Sequence, residues 1–178
     1  MKATSPLIVG ASAAVLLAGM FVFSGNSCSS LHASPAGASL LKNAQTGGLT
    51  LAAAGALSFG PDGLLVIAEP RMGSVVAVQT GDVGPVQKLK HKVENVSALV
   101  ASAIGSTAEN VLINHLAVNP KSGLIYLSVS RKPDNAASVV TIDADGKASA
   151  LKFDAMPWAR VTLPGVTGTK ATNITDVA

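Results

Sequence analysis

The chain has 178 residues, 48% of them hydrophobic but only 3% aromatic, and a formal net charge of +3. So slight a charge with so few stacking rings excludes a nucleic-acid surface, and a single cysteine, Cys28, excludes an intrachain disulfide. The length suffices for one domain with a real core, which Ala, Val and Leu must build.

At the N-terminus Lys2 precedes the uncharged run Leu7 to Phe23, LIVGASAAVLLAGMFVF, and small residues follow in SGNSCSSLHASPAGA. A positive start, an apolar middle and a small-residue exit describe a secretory signal peptide. The run is short for an unaided membrane span; left uncleaved it would be an N-terminal anchor, the one route to a membrane partner. Cleavage after Ala33 and after Ala38 both fit the pattern. Residues 1–33 are therefore read as a signal peptide or anchor, and the protein as exported, to the periplasm or the extracellular space. Gly25, Asn26 and Ser27 ahead of Cys28 match a lipoprotein signal poorly, so Cys28 reads as a leader residue. Residues 34–50, rich in Ser, Ala and Gly without a sustained period, read as a linker.

From Leu51 onward short apolar runs alternate with turn signals, a β pattern. The stretch LSFGPDGLLVIAEP, Leu57 to Pro70, has a second copy in LAVNPKSGLIYLSVS, Leu116 to Ser130. Leu57 aligns with Leu116, Pro61 with Pro120, Gly63 with Gly123 and Leu64 with Leu124; further on, SVVAV (Ser74 to Val78) aligns with SVVTI (Ser138 to Ile142). Identities fall at turn and core positions, while the longer loop SRKPDNAAS absorbs the insertion. Each copy predicts a short strand (57–59; 116–118), a Pro-x-x-Gly-type turn, a longer strand (64–68; 124–129) and a third strand (75–78; 139–142). A fourth is expected near Val86 to Lys90 and near Ala148 to Phe153.

Between the copies, Val96, Leu99, Val100, Ala103 and Ile104 recur with helical period and stop at Gly105, which predicts an inserted amphipathic helix capped by Asn95 or Ser97. After the second copy, MPWARVTLPGVTGTK reads as a long connection. NITDVA, Asn173 to Ala178, then lines up with LINHLA, Leu112 to Ala117, as the start of a third copy. On this reading the sequence is a fragment, cut inside a repeat.

A four-stranded meander of this kind is one blade of a β-propeller, and a ring typically needs 4–8 blades. The expected fold is thus all-β: blade one at about 51–94, an inserted helix at about 96–105, blade two at about 111–156 and the start of blade three at 173–178, within a partial propeller domain 51–178 preceded by a signal helix. FGPDGLLVIAEP and VNPKSGLIYLSVS resemble the repeats of secreted NHL-type, gluconolactonase-like, streptogramin lyase-type and soluble quinoprotein sugar dehydrogenase propellers. In the last family the repeat often opens with PDG, an aliphatic strand and a Glu, and here Asp62, Gly63 and Glu69 occupy similar places. Residues 56–142 are also similar to uncharacterised exported bacterial propeller proteins. The resemblance implies a fold, and propellers host many unrelated activities.

Propeller ligands usually sit at the channel mouth, next to the start of each innermost strand. The residues just ahead of those strands are Ala56, His115 and Asp176, with Gly55, Asn114 and Thr175 before them. His115 and Asp176 are the candidate base or metal-ligand positions, each weighed against capping a strand or bonding a neighbouring backbone group. Asn114 is a candidate ligand contact, as are Glu69 and Arg71, which flank Pro70 and read more simply as an exposed ion pair. Asp62, Asp82, Asp143 and Asp145 fall in turns, where Asp bonds the backbone. The separation of the acidic turns and the scatter of His32, His91 and His115 speak against a metal site. No serine-hydrolase elbow or phosphate-cradling loop is present. Trp158 reads as a cover for a sheet edge, and Lys88, Lys90, His91 and Lys92 as a solvated loop. The expected function is binding or scaffolding with a small-molecule or protein partner and no evident cofactor. The alternative is a secreted propeller enzyme, a PQQ-dependent sugar dehydrogenase or lactonase. Pyrroloquinoline quinone or calcium enters only there, with the catalytic residues mostly beyond this chain.

Overall fold

The computed structural model describes residues 40–165 and 174–177. The segment read as a leader, with Cys28 and His32, the start of the segment read as a linker, and Asn173 and Ala178 of the segment read as the start of a third repeat lie outside these residues. The described chain is mostly β: two antiparallel sheets and one short helix.

The first sheet contains β1 (Gln45–Thr46), β2 (Leu57–Phe59), β3 (Leu64–Glu69), β4 (Ser74–Gln79) and a late strand, β9 (Pro157–Thr162), in the order β1-β9-β4-β3-β2. The second is a consecutive meander of β5 (Val111–Val118), β6 (Ile125–Arg131), β7 (Ala136–Ile142) and β8 (Ala148–Ala150). Between them α1 spans Val96–Ile104, where the apolar period placed it. Asn95 caps it, its Oδ1 accepting the Ala98 N–H at 3.2 Å, and Gly105 ends it at φ +65°.

The hydrophobic alternation decides which face each strand buries. Leu57, Leu65, Ile67, Val76, Val78 and Trp158 of the first sheet pack with Tyr126 and Val139 of the second. On the second sheet's other face, Leu127, Val129, Val140 and Ile142 pack with Val100 and Ala101 of α1. Fully burying one such aliphatic side chain contributes roughly 1.5–3 kcal/mol. The aligned pairs Ile67 and Leu127, Val76 and Val140, and Val78 and Ile142 therefore take the same face of their respective sheets. In the first sheet that face meets the second sheet; in the second it meets α1.

Both turn glycines are required by close backbone approach. Gly63 has φ +72° and Gly123 φ +76°, and a Cβ on them would lie 2.7 Å from the Asp82 carbonyl oxygen and 2.0 Å from that of Gln87. The connector after β4 causes this, because it runs across both turns in succession. The Thr80 N–H donates to the Gly63 carbonyl at 3.2 Å, and the Gln87 N–H to that of Ser122 at 2.8 Å.

Three expectations change. Residues 86–90 form an exposed connector and not a fourth strand of the first sheet; the β4 edge is taken instead by β9, part of the segment expected to be only a connection. The linker holds β1, whose Gln45 and Thr46 pair with Trp158 and Pro157. The strand expected to start near Leu116, β5, begins at Val111, with a register shift between Ile113 and His115. The pairing of β9 with β4 also brings Arg160 to the buried Glu69 of β3.

Candidate functional site

His115 and Asn114 lie together at the irregular point of β5, where β5 and β2 come side by side. His115, half-buried, accepts the Leu57 N–H on Nδ1 at 3.2 Å. The Asn114 side-chain amide donates to the Ala54 carbonyl and to Ser130 Oγ, both at 2.8 Å. β2 is a sheet edge, so its N–H groups have no strand to bond; the imidazole supplies one of the missing acceptors. His115 thus bonds a neighbouring backbone group. Asp176 is exposed and bonds locally, Oδ1 accepting the Val177 N–H at 2.8 Å.

Glu69 and Arg71 are not brought together. Arg71 is exposed, whereas Glu69 is fully buried. The Glu69 carboxylate accepts the Arg160 Nε–H at 2.7 Å, the Ala52 N–H at 2.9 Å and the Ser74 hydroxyl at 3.1 Å. Arg160 also donates to the Thr50 carbonyl at 2.8 Å and lies over the Trp158 ring, 5.4 Å from its centroid. This cluster joins β3, β4, β9 and the arm ahead of β2, and a buried carboxylate demands such a partner. Trp158 is buried in the first sheet, its indole N–H donating to the Gly47 carbonyl at 2.8 Å. Asp143 behaves as a turn residue, its Oδ1 accepting the N–H groups of Asp145 and Lys147.

The densest polar cluster centres on Asp82. Its Oδ2 accepts from Asn119 Nδ2 at 2.6 Å, Ser122 Oγ at 2.6 Å and Tyr126 Oη at 3.1 Å, and Asn119 Nδ2 also reaches the Asp82 carbonyl at 2.7 Å. Asn119, Ser122 and Tyr126 are buried. Burial, and then the charge of the Asp82 carboxylate, push the Tyr126 phenol above its ordinary range. Beside the cluster an open cavity of about 230 Å³ is lined by Asp82, Pro85, Gln87, Leu124 and Asp143 among others. Chemically, an oxygen that already receives three hydrogen bonds is a clamp for the 119–126 turn. Asp82 had been read from sequence only as one turn aspartate among four; the Asn-Pro-x-Ser spacing of the second turn was the available signal, since it puts two short donors on one side of a Pro-led turn.

Ser128 is the register partner of His115 on β6. Its hydroxyl is fully buried and has no hydrogen-bond partner among the described residues. The basic segment is solvated as expected, with exposed pairs Lys90 to Asp145 at 2.6 Å and Lys92 to Glu94 at 3.5 Å. Among the described residues no group of three or more His, Cys, Asp or Glu is placed to hold a metal ion, and no helix is long and apolar enough to cross a membrane. No family model matches the chain, and neither curated proteins nor solved structures give a match.

Proposed function

We propose that the protein is an exported β-propeller protein whose role is binding or scaffolding, with a small molecule or a protein as partner. The observation that carries this reading is the use made of the polar residues nearest the inner strands. His115, Asn114 and Glu69 are each committed to hydrogen bonds that hold strands and sheets together, which favours the surfaces built on that frame as the place of binding. The matching faces of the two sheets support the blade reading, and the leader pattern of residues 1–33 supports export. The enzyme reading has less support from the described residues, where the His115 Nδ1 is engaged by the Leu57 N–H, and it places its catalytic residues mostly beyond this chain.

The test is a thermal-shift and turnover assay of the full chain with pyrroloquinoline quinone and calcium, followed by sugars and sugar lactones. The binding reading expects no cofactor-dependent turnover. Sugar-dependent dye reduction that needs the quinone, or lactone hydrolysis lost in His115→Ala, would overturn it. N-terminal sequencing of the exported protein is expected to start near Ser34; a start at Met1 would replace the cleaved leader with an anchor.

A further inference from the structure

The interface between the two sheets shows what covers an inner strand. Leu57 of β2 is buried there, and Phe59 packs edge to face on Tyr126 with 4.9 Å between ring centroids. One repeat later Leu116 takes the place of Leu57, and Val118 that of Phe59. Their cross-strand partners Leu127 and Ile125 put them on the α1 side of the second sheet. Leu116 and Val118 are nevertheless 54% and 50% exposed, because α1 packs over Leu127, Val129, Val140 and Ile142 without reaching this end of β5. Sheets that radiate from an axis diverge outward, so a helix fits between their outer strands while their inner strands meet directly.

The far side of the first sheet carries the matching surface. The second sheet meets the first through Ala117, Tyr126 and Val139, and the aligned residues of the first sheet are Ser58, Val66 and Val75. The register sets Val66 beside Ala77, Ala77 beside Ala159 and Val75 beside Val161, and Val161 is 64% exposed.

We propose that the row Leu116–Val118 is a docking surface for a second copy of this chain, which seats the far side of its own first sheet (Val66, Ala77, Val161) upon it. The contact continues the sheet-on-sheet interface already present within one chain. It is heterologous, one face against a different face, so association continues from copy to copy and ends only if a ring closes. Ring closure rests on the propeller reading; docking rests only on the repeat.

Sedimentation velocity on the full chain, over a concentration series and in a mild detergent that solvates residues 7–23, tests this. The parent protein is expected to associate with rising concentration, and Leu116→Asp and Val161→Asp are each expected to be monomeric alone. Mixed, the two variants should form a one-to-one dimer, because each keeps the face that the other has lost. A parent protein that stays monomeric overturns the proposal, as does association that survives Leu116→Asp. Two folded variants that fail to pair when mixed also overturn it, and far-UV circular dichroism checks that both are folded. If either Asp variant loses the parent's spectrum, Leu116→Ser and Val161→Ser carry the same complementation. Complementation with an open-ended polymer in the parent upholds docking and overturns the propeller reading instead.

Discussion

The two sheets start from matching hydrophobic patterns and are completed by different means. The second is made of four consecutive strands, β5 to β8, joined by short turns and covered by a helix that lies just before it in sequence. The first has only three consecutive strands and closes its β4 edge with β9, which is then bordered by β1. The chemistry differs accordingly. At the end of the longer strand the second sheet has Val129 in its apolar core, where the first has the buried carboxylate Glu69. A valine at that position is satisfied by neighbours of any apolar kind, whereas a carboxylate requires one particular cation, and Arg160 comes from the far end of the domain. The buried carboxylate is thus satisfied across the non-local part of the sheet.

The largest effect should come from breaking that dependence. Arg160→Ala leaves Glu69 buried without its cation and is expected to cost about 3–5 kcal/mol, read as a lower denaturant midpoint. The replacement of Lys132, an exposed cation near the matching end of the second sheet, should change stability by less than about 0.5 kcal/mol. Equal effects at the two positions would remove the contrast between the sheets.

Next in size is the shared turn. Gly123→Ala places a Cβ against the Gln87 backbone at a positive φ, and a loss of about 2–3 kcal/mol is expected in chemical denaturation. Gly63→Ala should cost less, since its nearest backbone atom lies 2.7 Å and not 2.0 Å away. The reverse order would mean that the connector binds the first turn more tightly than the second.

A smaller loss, about 1.5 kcal/mol, is expected for Asp82→Asn, which weakens the clamp on Asn119, Ser122 and Tyr126. The same cluster sets a pH dependence. Because the folded Tyr126 phenol is raised above its ordinary value of 10.0, its contribution is whole below pH 10. As pH climbs beyond that, the unfolded chain gains stability by ionising, and the folded state loses its advantage. Thermal unfolding of the parent should therefore fall off above about pH 10 more steeply than that of Tyr126→Phe. Parallel curves would show that this phenol is not the group responsible.

The smallest effect has the opposite sign. Ser128 aligns with Ala68 of the first sheet, and its hydroxyl is buried without a partner. Ser128→Ala gives the second sheet the residue of the first and is expected to raise stability by about 1 kcal/mol. Destabilisation would mean that the hydroxyl holds a bridging water between the sheets.

How far the sequence reveals this molecule follows the same division. The second sheet, α1 and the Pro-led turns are legible because they are local: alternation within a strand, a helical period from Val96 to Ile104, and glycines where φ turns positive. β9 is not legible, since PWARVT has a single exposed valine, an arginine and a proline, and its strand character comes from the edge it completes. The Glu69 to Arg160 pairing and the convergence on Asp82 are likewise set by tertiary approach across long separations. His115 was legible as a polar residue in a special place; its role as an acceptor for the β2 edge appears only once β2 and β5 lie side by side.

The late arrival of β9 has a bearing on biosynthesis. Chains emerge N-terminus first at about 5–20 residues per second. The apolar edge SVVAVQ of β4 is thus made on the order of ten seconds before the strand that covers it. By the end of that interval the second sheet has been made and can finish itself, whereas the first presents an open edge throughout to any other extended chain nearby. A holdase bound to residues 74–79 during synthesis would protect the half of the molecule that is first in sequence and last to close.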